Sequence, residues 1–141
     1  MTRKGIIHRD LKPENILFNS KQEGVFDIRL ADFGYATTYT ALEDPAEDDI
    51  VCGTPGYIAP EAIDGDGFCF KSDIFSVGSI LFSMLTLKNL FAGDTYDTVM
   101  NNNAKCNLDH VSARLRTCSP EVGDLIKKML VKDPTKRPSA I

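Results

Sequence analysis

Tryptophan is absent from this 141-residue chain, histidine occurs only twice, and long apolar runs are missing. The longest, residues 80–87, is broken by Ser83 and Thr86, whereas a membrane-spanning helix needs about 20 consecutive apolar residues. A basic excess is lacking as well. With 16 Lys and Arg against 20 Asp and Glu the net charge is −4, which leaves no electrostatic footprint for nucleic acid. Only Ile6-Ile7 precede His8 as an apolar stretch, too little for a signal-peptide core. Cys52, Cys69, Cys106 and Cys118 form no C-x-x-C pair, and His8 and His110 are not spaced to complete a metal site. These absences point to an intracellular, cytoplasmic protein with reduced, structural thiols, no membrane segment and no nucleic-acid partner.

What remains is of ordinary globular composition, 43% apolar and 26% charged, in one domain or part of one. The chain is organised around residues 8–15, His-Arg-Asp-Leu-Lys-Pro-Glu-Asn. This segment gathers acid, base and amide in a proline-interrupted loop before an apolar run. Ile16-Leu17-Phe18 and the alternating Phe26, Ile28 and Leu30 then predict two half-buried strands joined by a Gly-containing turn. An antiparallel hairpin returns the chain to its starting edge. Asn15, before the first strand, should therefore meet Asp32, after the second, and an amide oxygen beside a carboxylate suits a hard cation such as Mg²⁺.

Residues 35–49, rich in hydroxyls and then acids, read as a surface loop. Apolar residues on nearly every face between Lys71 and Leu87 predict a buried central helix capped by Ser72. Asp94 and Asp97 suggest a helix start running to about Ala104. The clearest helix follows Ser119 as N-cap, with Pro120, Glu121 and an apolar face of Val122, Leu125, Ile126, Met129 and Leu130. Residues 64–67, Asp-Gly-Asp-Gly, begin like a calcium loop, but Phe75 stands where a bidentate Glu is required; an acidic surface turn is the better reading.

The motifs in order are His8-Arg9-Asp10-Leu11 with Asn15, Asp32-Phe33-Gly34, Ala59-Pro60-Glu61, Ser72-Asp73 on the central helix, and Asp133-Pro134 with Arg137. As an ordered set the chain resembles the larger, helical lobe of eukaryotic protein kinases. The resemblance implies a mainly α fold with a short β-hairpin. That is the C-terminal helical lobe of the protein-kinase-like (α+β) fold, with the N-terminal β-lobe missing and residues 1–141 forming one partial kinase domain. No Gly-rich phosphate loop or strand lysine precedes His8, so the expectation is a fragment that is inactive alone.

By resemblance, the activity is transfer of the ATP γ-phosphoryl group to a protein hydroxyl, with ATP as cosubstrate and Mg²⁺ as cofactor. Asp10 orients the acceptor and takes its proton, Lys12 meets the transferred phosphate, and Thr54 braces both. Asn15 and Asp32 hold the metal. Leu17 lines the adenine side, and Glu14 joins Lys12, Asn15 and Asp32 on the cofactor side, either as a solvated carboxylate or as a contact for a basic residue of the substrate. Asp73 anchors the catalytic loop backbone, and Glu61 pairs with Arg137. Lys12, two positions after Asp10, marks the serine/threonine type, and Tyr35 hints at serine acceptors. Residues 52–61 look most like the calcium/calmodulin-dependent group, in which a phosphothreonine commonly lies at the position of Ile50 here. Either Asp48 and Asp49 stand in for that phosphate opposite Arg9 or the acidic run is simply solvated, with Thr37, Thr38 and Thr40 as alternative phosphosites. Calmodulin would act only through a segment outside this chain. The alternative is a non-catalytic kinase-like interaction module.

Overall fold

The computed structural model describes residues 2–19, 27–38 and 51–140. Its elements are β1 (Ile6–Ile7), β2 (Ile16–Phe18), β3 (Ile28–Leu30), β4 (Thr37–Thr38), α1 (Pro60–Ile63), α2 (Phe70–Thr86), α3 (Tyr96–Lys105), α4 (Val111–Arg114) and α5 (Pro120–Met129). The architecture is mainly helical, as the sequence pattern predicts, with two small antiparallel ladders, of which it predicts one. In one ladder β2 pairs with β3 in the register Ile16↔Leu30, Leu17↔Arg29 and Phe18↔Ile28. In the other, β1 pairs with β4, Ile6 facing Thr38 and Ile7 facing Thr37. No periodicity announces two-residue strands, and this second ladder was not expected from the sequence.

Helix α2 is the spine. Phe75 and Phe82 on it are fully buried and pack with Leu90, Phe91, Val111, Leu115, Ile126 and Leu130 into one core. It lies so close to α5 that a Cβ on Gly78 would come within 2.9 Å of Met129 Cβ. Only glycine permits that approach. Helix α2 is less uniformly buried than its apolar composition suggests: Met84 and Leu85 are exposed, and Leu87, at φ 55° in the left-handed C-cap, is 86% exposed. Its N-cap is Cys69 rather than Ser72. Ser72 sits three positions into the helix, where its Oγ accepts from the Cys69 amide at 3.0 Å and donates to Glu61 Oε1 at 2.8 Å.

Helix α3 begins at Tyr96 because Thr95, not an aspartate, caps it by accepting from the Thr98 amide. Helix α5 has the expected Ser119 cap and Pro120 start. Its buried stripe is narrower than read, since Ile126, Met129 and Leu130 are inside while Val122 and Leu125 are 40% and 47% exposed. The hairpin also departs from half-burial. Phe18 and Ile28, paired across it, are both exposed, because among the described residues no element covers that surface. The acidic turn at 64–66 is exposed, with Asp64 paired to Lys132.

Candidate active site

The loop after β1 is held from below. Asp73, near the start of α2, accepts from the His8 amide through Oδ2 at 2.9 Å and from the Arg9 amide through Oδ1 at 3.1 Å. One carboxylate thus satisfies two successive backbone donors, and Arg9 takes a left-handed conformation, φ 68°. Burial pushes the Asp73 carboxyl up from its ordinary value, while the two amides oppose that shift. His8 is fully buried, its Nε2 lies 3.0 Å from the Ala31 carbonyl, and its ring packs 4.8 Å from Phe33. It ties the loop to the segment containing Asp32, a role the sequence reading did not assign.

The loop turns Asp10 inward, to 4% exposure. Thr54 Oγ1 donates to Asp10 Oδ1 at 2.7 Å, Lys12 Nζ lies 2.8 Å from Asp10 Oδ2, and Lys12 Nζ donates to Thr54 Oγ1 at 3.0 Å. This triangle joins residues 10–12 to residues 52–58, whose approach is so tight that a Cβ on Gly53, at φ 108°, would come within 2.7 Å of the Arg9 carbonyl oxygen. The hydrogen bond to Asp10 raises the Lys12 pKa, with help from the charges of Asp10, Glu14 and Asp32 against partial burial. Lys12 therefore stays cationic at neutral pH.

A 3₁₀ turn, Pro13–Asn15, brings the buried Asn15 back over Asp10. Its Nδ2 donates to the Asp10 carbonyl at 2.9 Å and approaches Asp10 Oδ2 at 3.4 Å. The Asn15 carbonyl accepts from the Ala31 amide at 2.9 Å, so the hairpin delivers Asp32 to the same edge. Asp32 is exposed at φ 58°, and one of its oxygens, Oδ1, accepts from the Gly34 amide. Such positive φ values are sparsely populated for a non-glycine residue and cluster at functional sites.

The donor chemistry fits a hard divalent cation. Asn15 commits its amide nitrogen, not its amide oxygen, to Asp10, and Asp32 adds a carboxylate. Among the described residues there is no group of three or more His, Cys, Asp and Glu side chains for a metal. An Asn–Asp pair would hold a cation only together with oxygens from a phosphate or water, which is how Mg²⁺ is usually bound.

Of the other expected site residues, Glu14 and Leu17 are exposed beside this edge. Arg9 donates through Nε to the Tyr35 carbonyl and lies over the Phe68 ring. Thr37 and Thr38 form β4, while Thr40, Asp48 and Asp49 lie outside the described residues. Away from the triangle, Arg137 is 2% exposed and makes a two-pronged pair with Glu61, Nη1 to Oε1 and Nη2 to Oε2, both 2.7 Å. It also donates to the Val131, Lys71 and Lys132 carbonyls and lies over the Phe75 ring. This is a fully satisfied buried ion pair.

The family model for the protein kinase domain matches residues 1–141. The chain belongs to the protein kinase family. Its relatives include serine/threonine-protein kinase 17A of Oryctolagus cuniculus, 36% identical over 96% of this chain and 33% of that protein. Myosin light chain kinase A of Dictyostelium discoideum is 36% identical over 96% of the chain and 44% of that protein. Serine/threonine-protein kinase ATG1c of Arabidopsis thaliana is 34% identical over 94% of the chain and 18% of that protein. The kinase chain thus spans less than half the length of these relatives. By family it is of the serine/threonine type, and its likeness to the calcium/calmodulin-dependent group agrees with the kinase 17A and myosin light chain kinase matches. The family implies ATP and a divalent metal. Among the described residues no helix is long and apolar enough to cross a membrane.

Proposed function

We propose that the full-length protein transfers the γ-phosphoryl group of ATP, with Mg²⁺ as the metal, to a serine or threonine hydroxyl of a protein substrate. The single observation that carries this reading is the Asp10–Lys12–Thr54 triangle set against Asn15, in a chain of the protein kinase family. The metal-bound nucleotide supplies the phosphoryl group. Asp10 orients the acceptor hydroxyl and takes its proton; an ionised carboxylate offers about four lone-pair sites, and Thr54 and Lys12 leave part of that capacity open. Lys12, kept protonated beside Asp10, meets the charge of the transferred group as a point cation. The Asn15 amide oxygen and the Asp32 carboxylate would hold the metal.

Leu17 faces the adenine side, and the exposure of Leu17, Phe18 and Ile28 supports a covering nucleotide-binding half outside these residues. Residues 1–141 are then one partial kinase domain, inactive alone. Exposed Glu14 meets a basic residue near the acceptor, and Tyr35 favours serine. Asp48 and Asp49 replace a switchable phosphate opposite Arg9, with Thr37, Thr38 and Thr40 as further modification sites. Any contact with calmodulin would be made through a segment outside residues 1–141, and the site of action is the cytoplasm.

The test uses the full-length protein with labelled ATP and a serine/threonine peptide library. Mg²⁺-dependent labelling of serine, abolished by EDTA and by Asp32→Asn, is expected. A protein that transfers no phosphate and binds no nucleotide is instead an interaction module.

A further inference from the structure

Helix α3 is mostly exposed along its first two turns, yet Asn103 in its last turn is fully buried. A primary amide buried in this way is costly unless both its ends are paired. Both are. The Gly56 amide donates to Asn103 Oδ1 at 2.9 Å, and Asn103 Nδ2 donates to the Ile58 carbonyl at 2.8 Å. The orientation of the amide is unambiguous, since one partner only donates and the other only accepts.

Among the described residues the segment so gripped has no strand partner, and side chains and a turn pair most of its backbone groups. Ser79 Oγ donates to the Gly56 carbonyl and Ser76 Oγ to the Tyr57 carbonyl, each at 2.7 Å, while the Tyr57 amide turns back to the Thr54 carbonyl at 3.1 Å. Three side chains from two helices therefore fix residues 56–58, and Thr54, at the start of that turn, bears on Asp10. Asn103 differs from the two serines in grasping the segment at both ends and from another helix. Its two bonds tie α3 to residues 56–58.

We propose that Asn103 is a positioning residue, which registers residues 54–58 and thereby sets how an acceptor peptide seats beside Asp10. The inference rests on the phosphoryl-transfer reading for its consequence but not for its geometry. Asn103 touches neither Asp10 nor Lys12, so its effect travels through the segment and falls on the acceptor rather than on the nucleotide.

The test compares full-length wild type with Asn103→Leu, which keeps the shape and loses both bonds, and with Asn103→Asp, which keeps only the acceptor for the Gly56 amide. Acceptor-peptide KM should rise about tenfold or more in Asn103→Leu, with ATP KM unchanged. Amide exchange of residues 54–58 should accelerate in both variants, more in Asn103→Leu, while α2 and α5 keep wild-type protection. A lowered Tm with wild-type peptide KM and unchanged exchange at 54–58 reduces Asn103 to packing and overturns the proposal. If Asn103→Leu fails to fold, Asn103→Asp decides by the same readings. If the wild type transfers no phosphate, the functional reading fails, and exchange alone decides whether Asn103 registers the segment.

Discussion

Asp10 and Thr54 lie 44 positions apart in sequence and share a 2.7 Å hydrogen bond. With Lys12 as the third corner, that bond makes residues 8–15 and residues 52–58 one constellation. An acid in a polar loop would ordinarily swing in solvent. Here its two oxygens are assigned to different partners, so the carboxylate has one orientation. Removing the Thr54 hydroxyl frees one oxygen without removing the charge. Thr54→Val in the full-length protein should lower kcat by about tenfold, roughly the worth of one hydrogen bond to a charged group, while Thr54→Ser stays near wild type. Steady-state kinetics of the two variants check this, and a loss in Thr54→Ser with none in Thr54→Val would assign the effect to the methyl group instead of the hydroxyl.

The Glu61–Arg137 pair connects α1 to the end of the described chain across 76 positions. Both members are buried, so removing one strands the other's charge. Glu61→Ala should cost about 3–5 kcal/mol of stability, far more than an exposed pair of the same chemistry. Urea unfolding measures it. A change within about 1 kcal/mol would mean that the Arg137 guanidinium is held by the three carbonyls alone.

Asp73 has a pH signature. Burial raises its folded-state pKa above the ordinary carboxylate value, so the folded protein binds this proton more tightly than the unfolded chain does. The resulting contribution to stability is complete below about pH 4 and is lost as pH rises through the folded pKa. Asp73→Asn cannot titrate. Relative to that variant, the wild type should lose stability as pH rises through this window, and unfolding curves taken across it should converge or cross. Parallel curves would contradict the shift.

Cys106, at the end of α3, is pushed up to about 11 by burial. Thiolate is the reactive form, so at pH 8 its alkylation in the native protein should be on the order of a hundredfold slower than in the unfolded chain. Iodoacetamide labelling followed by peptide mapping reads this directly. Equal rates in the two states would mean that α3 opens readily.

The parts legible in the sequence share a local cause. The β2–β3 hairpin follows from alternation over a few residues, and the capped start of α5 from Ser119 and Pro120 in succession. The bond between the Asn15 carbonyl and the Ala31 amide, next to Asp32, follows in turn from the hairpin. The parts that were not legible depend on distant chain. Strands β1 and β4 are two residues each and exist through pairing across some thirty positions. The exposure of Met84 and Leu87 is set by where the partners of α2 stop, which no apolar pattern within the helix encodes. Asn103 stands in a run of three asparagines, and only the fold selects which of them is buried. The motif residues gave the chemistry by resemblance, whereas the Thr54 bond and the His8–Ala31 contact needed three dimensions to become distances.

In the proposed reaction Asp10 serves phosphoryl transfer to a protein hydroxyl. The most direct measurement is ATP-dependent phosphate incorporation into a serine/threonine peptide by the full-length protein, compared with Asp10→Ala at matched Tm. Incorporation by the wild type that disappears in folded Asp10→Ala is the predicted result. Equal incorporation by the two proteins would contradict it.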